Sequence, residues 1–235
     1  MPRDAIPFER TSSVTDVRKI FLIAAEGFKT EYYYLNALNE RYGRVCRLLP
    51  FKRPPEEASH SAPNKVLEQL KREASKLNLK KEDSCWLVVD RDSWGQLLTK
   101  AINECKTLKY NSIVSAPCFE VWLLFYFKKL DELSEDEKSK LILNEYVTTR
   151  ETYIEKLLTS FMKEIRLGQY KANKELPEFF FVPNNIQKAI NEAHNIEKME
   201  ILNNGSYEFP TLIGSQIYKM LSQFFQENLI GEHTL

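Results

Sequence analysis

Between Lys19 and Lys128 the chain alternates unbroken apolar runs with longer stretches of helical spacing. The order is IFLIAA (20–25), TEYYYLNALNERY (30–42), VCRLLPF (45–51), NKVLEQLKREASKL (64–77), CWLVV (85–89), GQLLTKAINECKTL (95–108), SIVSA (112–116) and CFEVWLLFYF (118–127). Apolar runs of four to six residues without polar alternation suit strands buried on both faces, and strands separated by helices pair mainly in parallel. The βαβαβαβα order therefore predicts an open, mainly parallel sheet flanked by helices. Beyond Lys128 the strand signals largely stop. DELSEDEKSKLIL, RETYIEKLLTSFMKEI, NNIQKAINEAHNIEKMEIL and TLIGSQIYKMLSQFF all carry helical spacing. Ser134 and Glu137 are placed to form a capping box at the first of these. Three regions follow: a polar, flexible arm over 1–18, an α/β domain over 19–128, and a helical C-terminal extension over 129–235 that packs on the core.

The 33 basic and 33 acidic residues cancel, so no global field draws in a polyanion, and nucleic acid would have to meet a local basic patch. Cys46, Cys85, Cys105 and Cys118 contain no C-x-x-C pair, which argues against a zinc site or a disulfide framework and for a reducing, cytoplasmic setting. No run approaches the ~18 apolar residues of a membrane span, and the N-terminus lacks a signal-peptide apolar core.

Chemistry enters at WLVVDRDSW (86–94), where a strand that should be buried ends on Asp90 and Asp92. In open α/β sheets the ligand crevice lies past the C-terminal strand ends. Residues two apart in extended backbone point to one side, so both carboxylates can face one ligand. Arg91 between them is a candidate substrate contact. The first strand ends similarly, in IFLIAAEG, with Glu26 followed by Gly27 to free the turn. Parallel strands bring Glu26 to the same edge. Three carboxylates in one crevice repel one another and lose hydration, an arrangement that calls for a hard cation, Mg²⁺ or Mn²⁺. Glu26, Asp90 and Asp92 are thus candidate metal ligands and catalytic residues, for metal-assisted phosphodiester cleavage.

A structural alternative makes D-x-D a polar strand end followed by Ser93 as a helix cap. Glu31 fits a first-turn helix acid favoured by the macrodipole. No G-x-x-x-x-G-K-[ST] occurs, which excludes a P-loop ATPase. Aspartyl phosphotransfer at Asp90 would leave Glu26 without a role. His60, His194 and His233 stand alone. In SAPCFEVWLLFYF, Pro117 is placed to open a helix whose Phe119, Trp122, Leu123 and Tyr126 form a core stripe. Glu120, an acid in that otherwise apolar helix, is either a cap or a further catalytic carboxylate.

FLIAAEGFKTEYYYLNAL, VVDRDSW and SAPCFEVWLLFYF, in this order, resemble the RloB-like proteins, bacterial phage-defence proteins with a Toprim-type catalytic core. The likeness is strong over residues 18–128 and weaker through QYKANKELP and PTLIGSQIYKML. It implies a Toprim-like sheet in which Glu26, Asp90 and Asp92 bind Mg²⁺. It also implies an abortive-infection nuclease controlled by an ATPase partner and acting on nucleic acid, RNA or tRNA among the candidates. The chain departs from the family's usual S-N-P-C-F-E-x-W-L-L-x-H-F at Ala116 and Tyr126, so the resemblance carries over no catalytic role for the asparagine or histidine usual there and leaves Glu26, Asp90 and Asp92 intact.

In RLGQYKANK (166–174), Arg166, Lys171 and Lys174 are interleaved with Tyr170, a pattern that suits a nucleic-acid backbone with a stacked base; an ordinary solvated loop is the plain alternative. The other function class compatible with these residues is a non-catalytic module that keeps the fold and binds an ATPase partner or a nucleotide. Homo-oligomers are compatible with either.

Overall fold

A computed structural model describes residues 19–27, 29–52, 61–91, 94–172 and 174–232. The arm over 1–18, Asp92, Ser93, His60 and His233 lie outside the described residues. Four strands, β1 (Lys19–Ala25), β2 (Cys46–Pro50), β3 (Ser84–Asp90) and β4 (Asn111–Ala116), alternate with α1 (Thr30–Tyr42), α2 (Pro63–Lys76) and α3 (Gln96–Leu108). After β4 come α4 (Glu120–Leu124), α5 (Glu135–Leu143), β5 (Tyr146–Thr148), β6 (Glu151–Thr152), α6 (Tyr153–Glu164), α7 (Pro183–Asn204), β7 (Gly214–Ser215) and α8 (Ile217–Glu232). The main sheet has the order β2-β1-β3-β4-β7. It is parallel throughout except for the antiparallel β4–β7 pair. This is the mostly parallel α/β sheet that the apolar runs predict.

The central strands show why those runs are unbroken. Phe21 and Ile23 of β1 and Trp86 and Val88 of β3 face a large core with α1, α4, α6, α7 and α8. Leu22, Ala24, Leu87 and Val89, one residue out of phase, face a smaller core with α2 and α3. Side chains alternate across a strand, so burial on both faces demands apolar residues at every position. Helix ends follow sequence chemistry: Pro63 and Pro183 open α2 and α7, and Ser134 with Glu137 forms the predicted capping box on α5. Thr152 and Glu155 form a second capping box on α6.

Two features differ from the sequence expectation. The helix expected from Pro117 begins at Glu120, after the chain bends at Pro117 and turns at Phe119. The region expected to be helical contains β5 and β6 as a small antiparallel pair, and β7, which extends the main sheet. Residues of α5, α6, α7 and α8 contribute much of the large core beside Tyr34, Trp122 and Tyr126. Among the described residues no helix is long and apolar enough to cross a membrane.

Candidate functional site

Parallel pairing aligns the ends of β1 and β3 in register, with Ala25 opposite Val88. The ladder continues one residue past β1, where the Glu26 amide donates to the Val88 carbonyl at 2.8 Å. The Glu26 side chain, 9% exposed, then turns back over β3. Its Oε2 accepts the Asp90 amide at 2.8 Å and its Oε1 accepts the Trp94 indole N–H at 3.0 Å. Glu26 and Asp90 therefore meet at the C-terminal sheet edge, as the strand-end pattern predicts.

Gly27 explains the next carboxylate. Its amide donates to Glu31 Oε1 at 2.9 Å, and a Cβ at Gly27 would lie 1.7 Å from Glu31 Oε2. Only a glycine lets the acid fold back so closely; the sequence expectation of a freer turn is replaced by one of close approach. Glu31 does sit in the first turn of α1, yet it is 4% exposed. Burial, then the charges of Glu120 and Glu26, push its carboxyl up to about 7. The expectation of a plain first-turn acid is thus corrected: the position is right, but the side chain belongs to the acidic cluster. The signal was E-G-x-x-x-E, a glycine four residues before an acid at a helix start.

Glu120, in the first turn of α4, accepts the Tyr170 hydroxyl at 2.8 Å. Tyr170 is expected from sequence to stack on a base, but its ring is 6% exposed and its phenol is spent on Glu120. Burial and the Glu120 charge raise its pKa, and the Thr30 side chain bonds the same phenol. The aromatic holds the acid in place instead of offering a face. Cys118 joins the cluster: burial, then Glu120 and Asp90, push its thiol well up, and the Asn144 amide approaches its sulfur at 3.6 Å.

Of the basic candidates, Arg91 lies at the site. Its amide bonds the Ser115 carbonyl at 2.7 Å, and it lines a groove of about 550 Å³ together with Asp90, Pro117 and Cys118. Arg166 adopts a left-handed backbone (φ 62°) just past α6 and is exposed. Lys171 and Lys174 are exposed and line a separate pocket of about 370 Å³ with one edge of Tyr170. The structure therefore brings together Glu26, Asp90, Glu120 and Arg91, adds Glu31 and Trp94, and leaves Arg166, Lys171 and Lys174 on the neighbouring loop. Among the described residues no group of three His, Cys, Asp or Glu side chains stands where it could hold a metal ion. Asp92, the third of the expected ligands, lies outside those residues.

Compared with known proteins, the chain matches no curated protein and no solved structure. The family model described as RloB-like protein matches residues 21–224, a span that runs from β1 into α8 and includes every acid of the cluster. The chain belongs to the RloB-like protein family.

Proposed function

We propose that this protein is a Toprim-type nuclease that cleaves phosphodiester bonds of nucleic acid with Mg²⁺ or Mn²⁺. Its setting, in this proposal, is anti-phage abortive infection under the control of an ATPase partner. The observation that carries the reading is the meeting of Glu26 and Asp90 on adjacent parallel strand ends, joined by the 2.8 Å bond from the Asp90 amide to Glu26. The donor set suits a hard cation. Mg²⁺ commonly takes one or two carboxylates and fills its remaining positions with waters and substrate phosphates. Carboxylate oxygens carry two lone pairs each, so an oxygen that accepts a backbone or indole N–H can still coordinate a cation. Glu26 and Asp90, with Asp92 from the sequence pattern, would hold the ion, which when bound supplies charge stabilisation at the phosphoryl centre.

The chain's own residues have separable tasks. The Asp90 amide and the Trp94 indole fix Glu26 in one orientation. Glu31, with its carboxyl pushed up to about 7, carries a proton for much of the time near neutral pH and so relieves repulsion around Glu26 and Glu120. Tyr170 holds Glu120 against the cluster. Arg91, which lines the groove with Asp90, would meet a phosphate of the substrate.

The test is incubation of the full chain with RNA, tRNA and DNA in Mg²⁺, Mn²⁺ or EDTA, with and without the partner ATPase. Cleavage should vanish in EDTA and in Glu26→Gln and Asp90→Asn, while circular dichroism stays unchanged. Undiminished cleavage by both variants contradicts the reading. A second reading, a non-catalytic module of an ATPase complex, is favoured by one observation: both oxygens of Glu26 are already hydrogen-bonded by the protein. Partner binding by a chain that never cleaves would support it.

A further inference from the structure

The groove beside Asp90 has a wall that the acidic cluster does not explain. Its lining joins a floor of Asp90, Arg91 and Pro117 to an apolar wall of Leu143, Tyr146 and Leu212. These three are 66%, 74% and 58% exposed, a large apolar surface to leave in water directly beside charged groups. The wall is built on fixed elements. Tyr146 is paired to Thr152 across the β5–β6 ladder. Asn144, just before β5, accepts the Ile154 amide at 3.1 Å and reaches the Cys118 sulfur at 3.6 Å, which ties the wall to the floor. Among the described residues Arg91 forms no ion pair.

A ligand that satisfies this groove needs a flat apolar face for Tyr146 and Leu143 and an anion for Arg91, joined over a short distance. Its volume of about 550 Å³ lies in the range of small-molecule sites. We propose that the groove binds one unpaired nucleotide of a single-stranded nucleic acid, with its base against Tyr146 and its phosphate at Arg91, next to Asp90. Paired bases keep their faces stacked inside the duplex and present only their edges, so a duplex would leave the wall uncovered. Stacking on an exposed aromatic tolerates any base, which makes this a site for strandedness more than for sequence. The inference rests on the nuclease reading for the role of Asp90, but the binding it predicts does not depend on cleavage.

The experiment uses the full chain carrying Glu26→Gln, so that no oligonucleotide is consumed, in Mg²⁺. Fluorescence anisotropy is read with a labelled single-stranded RNA, a single-stranded DNA of the same sequence, and the corresponding duplexes. Tighter binding of the single strand than of the duplex in either arm is expected. Tyr146→Ala should weaken single-strand binding by about tenfold or more while duplex binding is unchanged. Tyr146→Trp should restore it, which separates stacking from damage to the fold. Arg91→Ala should weaken binding and reduce the slope of log affinity against log salt by about one phosphate contact. Equal binding of strand and duplex, no binding at all, or wild-type affinity in Tyr146→Ala overturns the proposal. Failure of the nuclease reading shows itself separately, as undiminished cleavage in Glu26→Gln and Asp90→Asn, whatever the anisotropy reports.

Discussion

Gly27 and Glu31 work as a pair, one residue being small because the other folds back over it. A methyl group at position 27 would meet the Glu31 carboxylate at 1.7 Å, so Gly27→Ala should cost about 1–3 kcal/mol through overpacking. In a Glu31→Ala background the penalty should largely disappear, and additive losses in a urea-denaturation cycle would contradict the steric account. The Glu31 charge has its own consequence. Its folded pKa of about 7 lies above the ordinary 4.5, so between those values the native state holds a proton that the unfolded state has lost. Stability from this group is fully present below about 4.5 and is withdrawn as pH rises through 7. Glu31→Gln keeps an acceptor for the Gly27 amide and removes the buried charge. In EDTA it should therefore melt higher than the wild type at pH 8, by about 1–3 kcal/mol, and nearly equally at pH 4. An equal difference at both pH values would mean that the carboxyl is not held protonated by the fold.

At the scale of elements, α8 fastens the edge of the sheet by one side chain. Asn228 Oδ1 accepts the amides of Arg44, Val45 and Cys46 at 3.0, 2.9 and 3.1 Å, while its Nδ2 donates to the Cys46 and Phe224 carbonyls. Asn228→Leu, similar in size, removes the acceptor shared by these amides and should cost about 3 kcal/mol, measurable as a loss of melting temperature with no change in the far-ultraviolet spectrum below the transition. Neither this tie nor β7 was legible in the sequence. Gly214–Ser215 carries no apolar signature; the strand exists because Gln216 exchanges bonds with Val114 and because the Ser115 and Ser215 hydroxyls meet at 2.8 Å. By contrast, β1 and β3 were legible because burial on both faces forces an unbroken apolar run, and the register of parallel strands then fixes where Glu26 and Asp90 end up. Trp94, Glu31 and Tyr170 join the site through tertiary convergence, which leaves no local pattern beyond the glycine at 27. Pro117 misled for a related reason: its place ahead of an apolar helix suits a first-turn proline, but the chain needs a further turn before α4 begins.

Across the whole molecule the two sheet faces are covered by different stretches of chain. The smaller core uses α2 and α3, whereas the larger core draws α6, α7 and α8 onto Phe21, Tyr34, Trp86 and Trp122. Inside it, the Trp122 indole donates to the Tyr34 hydroxyl at 2.9 Å, and the Tyr34 and Tyr126 hydroxyls share a bond at 2.7 Å, so the two buried phenols satisfy each other away from water. A chain ending at residue 128 would bare this face. It should show no cooperative unfolding transition and should bind hydrophobic dyes, as a loosely packed state does; a sharp melt would show that 19–128 folds alone. The bond between Lys19 and Glu227, at 2.7 Å, joins residues 208 positions apart in sequence. On a ribosome adding about 5–20 residues per second, the segment that becomes α8 follows β1 by on the order of 10–40 s. For that interval a nascent chain has its first strands but not Asn228 on β2, and so the amides of residues 44–46 wait for their shared acceptor until the segment that becomes α8 has been made.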